Sequence, residues 1–304
     1  MQAETIAKEI AVITIHGMGR EDKEYYKGFE ERLQRKLGVK WERVAFGHIY
    51  YQDTLEPNEQ FVYDQMQKAK TPFRSFIVWR LLREFLLFYF ADPGSLENNK
   101  TARESAYYQT QAKIANELRR IYVELGRNKK AKVVIAAHSL GCQVISSYVW
   151  DAQYASEQFE AIRKMTRVGF WGKIGELQTD DPDELDFLKL TSLHRLYTCG
   201  CNIPLFTAGH DYIVPFKSPN PDFKWQNYYS RNDVLGYPME PLRGRKGLKD
   251  PYYEDHPTYA ELVEDYEIRA GNLLQFWNPL AHTGYLTDDN FIDPIVRDVE
   301  SLLT

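Results

Sequence analysis

Three cysteines in 304 residues, Cys142, Cys199 and Cys201, are too few for a disulfide framework and cannot all pair. Residues two apart on a strand point to one face but are poorly placed to bridge each other, so all three are expected to be buried thiols in a reducing compartment. The histidines are scattered, with no H-E-x-x-H and no paired C-x-x-C, so no catalytic metal is expected. A dinucleotide-type glycine loop is missing too, and no cofactor is expected. Basic residues are in slight deficit: 38 Lys and Arg stand against 43 Asp and Glu, a net charge of -5. With no sustained basic run to neutralise phosphates, nucleic acid is not an expected partner.

Long apolar runs are scarce as well. The longest, FRSFIVWRLLREFLLFYF at residues 73–90, is cut by Arg74, Arg80, Arg83 and Glu84. Each such charge costs roughly 2.5–3.5 kcal/mol at a bilayer centre, which argues against a spanning helix. The segment reads as a buried helix, or as a cap whose aromatic face lines a pocket or makes transient contact with a membrane surface. The opening MQAETIAKEI mixes acidic and basic side chains and lacks the apolar core of a secretory signal, which predicts a cytoplasmic location.

What is present is an alternation of strand-length apolar runs with longer amphipathic stretches, the pattern of a mostly parallel sheet with crossover helices. Six runs read as strands: EIAVITIHG, WERVAFGHIYY, KVVIAA, LHRLYTCGCNIP, FKWQNYYS and EDYEIRAG. ERLQRKLG reads as a helix end stopped by Gly38, and ESAYYQTQAKIANELRRIYVELG as an amphipathic helix ending at Gly126. Two excursions, 53–100 and 155–189, are longer than a crossover needs and are candidate helical caps; in the first, Pro57, Pro72 and Pro93 punctuate the pattern. No repeat or linker breaks the chain, so one α/β domain spanning 1–304 is expected.

The polar insertion AHSLG ends the third strand run, at residues 137–141. A serine on a sharp strand-to-helix turn can project above the carboxyl edge of a sheet if small residues flank it two positions away, here Ala137 and Gly141. The plainer alternative is a serine capping the following helix. The first strand ends in HGMG, a second glycine turn that could bring a further backbone N–H toward the serine; the plainer alternative is an ordinary strand-to-helix turn.

Together these motifs resemble the α/β-hydrolase family, in particular its lipase and esterase branch. The resemblance runs over most of the chain: ITIHGMG for the oxyanion loop, AAHSLG for the nucleophile elbow, TCGCNIPLF for the next strand, NYYSRNDVLGYP for the acid loop and AHTGY for the histidine loop. It implies the order nucleophile, acid, base along the chain. It also implies Ser139 as nucleophile, with the backbone N–H groups of Met18 and Leu140 as oxyanion donors. His282 is the preferred base over His256, which reads as a solvent-exposed loop residue. Asp233 is the preferred acid, with Asp211 as its rival; either could instead be a turn-forming Asp. His138 points the wrong way for a base, His16 supports the oxyanion loop, and His48 and His194 are expected to be satisfied core histidines. The implied activity is hydrolysis of a small-molecule or lipid-like carboxylic ester through an acyl-enzyme. Thioester or amide cleavage, acyl transfer by the same three residues, and non-catalytic lipid or protein binding are the alternatives.

Overall fold

A computed structural model describes residues 6–19, 21–68, 87, 92–94, 96, 105–157, 171, 179, 181–208, 213–242, 256–270, 282 and 284–303. At its centre is a six-stranded, all-parallel sheet formed by β1 (Ile10–Ile15), β2 (Val44–Ile49), β3 (Lys132–His138), β4 (Leu193–Cys199), β5 (Lys224–Tyr229) and β6 (Val263–Glu267). The order across the sheet is β2-β1-β3-β4-β5-β6. The chain therefore winds outward from β1 to β2, returns to the other side of β1 at β3, and then continues in that direction. That reversal leaves the connections after β1 and β3 diverging at the carboxyl edge, where open parallel sheets form a crevice. Ile15 pairs with Ala137, so HGMG and HSLG leave the sheet side by side.

Both faces of the sheet are covered, which explains why β1 and β3 are apolar at nearly every position instead of alternating. On one face, Ala11, Ile13, Val133 and Ile135 join a cluster with Ile114 and Leu118 of α3 (Ala106–Glu124) and Ile145 and Tyr148 of α4 (Leu140–Glu157). On the other, Ile10, Val12, Val134 and Ala136 meet Phe29, Leu33 and Leu37 of α1 (Lys27–Leu37) and Phe291, Ile295 and Val299 of α8 (Asp289–Leu302). The buried positions of α1 and α8 recur every three or four residues, as the helical period requires. α3 starts where Ser105 accepts the Tyr108 N–H at 3.2 Å, and α1 ends at Gly38 with φ 54°.

The remaining helices are α2 (Gln52–Lys68), α5 (Pro182–Leu188), α6 (Ile203–Thr207) and α7 (Tyr259–Leu262) among the described residues. Pro57 lies inside α2 and does not end it, although it lacks the N–H for one helical hydrogen bond and its ring crowds the preceding turn. Of the candidate caps, residues 53–68, 87, 92–94 and 96 of the first and 155–157, 171, 179 and 181–189 of the second are described. The rest, with nearly all of the 73–90 run, lies outside the described residues. Among the described residues no helix is long and apolar enough to cross a membrane.

All three thiols are free and buried. Cys199 and Cys201 do not share a face, however: Cys199 packs in the cluster with α1 and α8 and Cys201 in the cluster with α3 and α4. The strand ends at Cys199, and Gly200 turns the chain at φ 55°, so the two-residue alternation stops before it reaches Cys201.

Candidate active site

Ser139 follows the last residue of β3 and precedes the first of α4, with φ 53°. A non-glycine residue in this left-handed region costs on the order of 1–3 kcal/mol and persists only where its surroundings enforce it. The Ser139 N–H donates to the Cys199 carbonyl at 2.9 Å, and its carbonyl accepts from Cys142 N–H at 3.0 Å. The close approach of strand and helix is what demands small neighbours: a Cβ on Gly141 would lie 2.4 Å from the His16 carbonyl oxygen, and one on Gly17 would lie 2.7 Å from Ser139 Cβ. Ser139 is therefore buried against the chain leaving β1.

His282, downstream of β6, brings its Nε2 to 2.6 Å from Ser139 Oγ. Its Nδ1 lies 2.8 Å from Asp233 Oδ2. Asp233 sits in the turn after β5, where its Oδ1 accepts from Leu235 N–H at 2.9 Å and its Oδ2 accepts from the Tyr285 hydroxyl at 2.9 Å. Burial pushes this carboxyl up, but the hydrogen bond and charge of His282, the Leu235 N–H and the Tyr285 hydroxyl outweigh it, so Asp233 is held below the ordinary carboxylate range. An ionised Asp233 only accepts, which puts the shared proton on His282 Nδ1 and leaves Nε2 with a lone pair facing the Ser139 hydroxyl. That arrangement can draw a proton from the serine as its oxygen attacks an electrophile.

Two further glycines make room for these side chains. A Cβ on Gly200 would lie 2.9 Å from His282 Cε1, and one on Gly236 would lie 2.5 Å from Asp233 Oδ2. His138 holds the His282 main chain: its Nε2 donates to the His282 carbonyl at 2.6 Å, since a carbonyl can only accept. Burial, with His282 close by, lowers His138 to about 3, so it is neutral near pH 7.

The loop after β1 is pinned from the opposite side. Tyr51 N–H donates to His16 Nε2 at 3.0 Å, which leaves the His16 proton on Nδ1 to donate to the Gly17 carbonyl at 2.7 Å. The Tyr51 hydroxyl donates to the same carbonyl at 2.9 Å and stacks its ring on His16 at 4.1 Å. Burial lowers His16 to about 3, which keeps it neutral. With the Gly17 carbonyl held by these two donors, the Met18 N–H of the same trans peptide points away from them. Gly19 N–H in turn donates to the buried Asp92 at 2.9 Å.

Ser139, Asp233 and His282 are thus brought into one hydrogen-bonded line, with Met18 on the loop after β1 and Leu140 at the start of α4 next to the serine. Asp211 lies outside the described residues. His256 corrects its sequence reading: it is partly buried, with its ring stacked on Trp150 at 4.8 Å. His48 is half-buried and stacks on Tyr26 at 3.8 Å, and His194 Nδ1 donates to the Ser192 carbonyl at 2.8 Å. Tyr285, Gly200, Gly236 and Asn202 were missed; the Y of AHTGY and the glycines of TCGC and DVLGY were visible signals, whereas Asn202 had none. Among the described residues no group of His, Cys, Asp or Glu could hold a metal ion. The chain matches no protein-family model and no curated protein.

Proposed function

We propose that the protein is a serine hydrolase of the α/β-hydrolase fold that cleaves a carboxylic ester through an acyl-enzyme. The observation that carries the reading is the 2.6 Å contact between Ser139 Oγ and His282 Nε2, continued at 2.8 Å from His282 Nδ1 to Asp233. Its setting supports it: the serine stands at the point where the winding of the sheet reverses, on a strained turn, and acid and base follow in the family's order. His282 takes the Ser139 proton as the hydroxyl oxygen attacks the acyl carbon, and returns it to the leaving alcohol. Asp233 holds the imidazole tautomer and stabilises the imidazolium without taking the proton. Leu140 and Met18 N–H groups receive the developing oxyanion; one such donor is worth on the order of 10²–10³ in rate. Water then hydrolyses the acyl-enzyme by the same proton route.

Hydrolysis of a p-nitrophenyl ester series of rising chain length tests this. The parent is expected to turn over at least one member, and Ser139→Ala to lower kcat/KM by on the order of 10⁴ or more. Activity in Ser139→Ala within tenfold of the parent would remove the serine from the reaction.

A further inference from the structure

The loop that leaves β4 touches both members of the reactive pair. Gly200 lies against the His282 ring, and two residues on Asn202 reaches the Ser139–Leu140 peptide. Asn202 is fully buried and stands at the N-cap of α6, yet its side chain makes no capping hydrogen bond to that helix. Asn is among the preferred N-caps because its amide oxygen satisfies an N–H of the first turn, and here the amide faces the other way. In the orientation that turns its oxygen toward a donor, Asn202 Oδ1 accepts from Leu140 N–H at 3.2 Å, and Nδ2 lies beside the Ser139 carbonyl, 3.1 Å from its oxygen. The atom on Leu140 N–H also lies 3.4 Å from the Ser139 hydroxyl oxygen.

Leu140 opens α4, and a first-turn N–H has no acceptor inside its own helix. Under the hydrolase reading, on which this inference rests, that N–H is an oxyanion donor. We infer that Asn202 is a surrogate for the substrate oxygen: its amide oxygen holds the Leu140 N–H until an acyl oxygen displaces it. Replacing one neutral oxygen by another, amide by ester, is close to an even exchange. Replacing it by an oxyanion is not, because a charge-assisted bond is roughly twice as strong. Asn202 thereby reserves the Leu140 donor for the transition state, the condition under which binding energy raises rate. It acts only through that N–H and is a positioning residue.

Inactivation by an alkyl fluorophosphonate reads this directly, since the phosphonyl oxygen of the serine adduct needs the same N–H. Asn202→Ala, which vacates the donor, is expected to raise the second-order inactivation rate about fivefold, the worth of one neutral hydrogen bond. Asn202→Asp, nearly isosteric, puts a carboxylate on the N–H and is expected to slow inactivation at least tenfold at pH 7, with relief as the pH falls toward carboxyl protonation. A packing role produces neither the opposite signs nor the pH relief. If Asn202→Ala does not fold, the Asp variant and its pH profile decide alone. A labelled parent with a slower Asn202→Ala, or an Asp variant that reacts as fast as the parent, overturns the role of Asn202 and leaves the hydrolase reading standing. Parent and both variants all unlabelled at Ser139 overturn the two together, whereas a silent parent with a labelled Asn202→Ala supports both.

Discussion

Asp233 depends on three neighbours for its ionised state, and its replacement separates charge from shape. Asp233→Asn keeps the volume but presents an amide to His282 Nδ1, so the imidazole loses both its tautomer preference and its counter-charge. Ester turnover is expected to fall on the order of 10⁴ with the folded state retained, as read by kcat/KM beside a thermal melt. Tyr285→Phe is a milder change. It deletes a 2.9 Å bond to Asp233 and leaves the Ser230 N–H, which donates to the tyrosine oxygen at 3.0 Å, without its acceptor. About 1–3 kcal/mol of stability should be lost, with a much smaller effect on turnover than Asp233→Asn. A Tyr285→Phe variant as inactive as Asp233→Asn would mean that the tyrosine takes part in the chemistry. At this scale much was legible: Ser139, Asp233 and His282 sit in short contiguous motifs whose steric demands can be read from neighbours. Asn202 and the anchoring role of His138 were not, because each acts on the main chain of another residue and no local motif marks such a side chain.

The two glycine-bearing turns set the site at the level of elements. Gly141 has the backbone oxygen of His16 2.4 Å from where a Cβ would sit, and backbone cannot rotate away as a side chain can. Gly141→Ala is expected to cost about 3 kcal/mol or more, because strand β1 and helix α4 must separate. Gly94→Ala is a control of opposite character: it is exposed, nothing lies within 4 Å of the added methyl and its φ is not left-handed, so stability should change by less than about 1 kcal/mol. Equal melting points for the two variants would refute the close-packing account of AHSLG. Element positions were largely readable from apolar runs and helix stops. What misled was local chain geometry: a left-handed Gly200 put Cys199 and Cys201 on different faces, and Pro57 was absorbed into α2.

For the molecule as a whole, the buried neutral histidines link the architecture to pH. His16 and His138 are both lowered to about 3 by burial, against an ordinary value near 6.5. The unfolded chain therefore binds protons that the folded chain refuses, and stability present above pH 6.5 is lost as pH falls toward 3. By pH 5 the loss is about 2 kcal/mol per histidine. Asp233 adds to it at lower pH, because its folded carboxyl titrates below the ordinary range and its contribution disappears as pH drops through that point. Asp92, Glu21 and Glu30 are raised by burial and act in the opposite sense. The urea midpoint should fall between pH 7 and pH 5; an unchanged midpoint would contradict the dominance of the buried histidines over the buried carboxyls.

The central claim is that a single serine, activated by His282 and Asp233, forms a covalent acyl intermediate. Its most direct measurement is the mass of the intact protein after reaction with a fluorophosphonate, followed by mapping of the modified peptide. One adduct per chain on Ser139, abolished in Ser139→Ala and strongly slowed in His282→Ala, is the expected result. No adduct on any variant, or an equal adduct on Ser139→Ala, would contradict it.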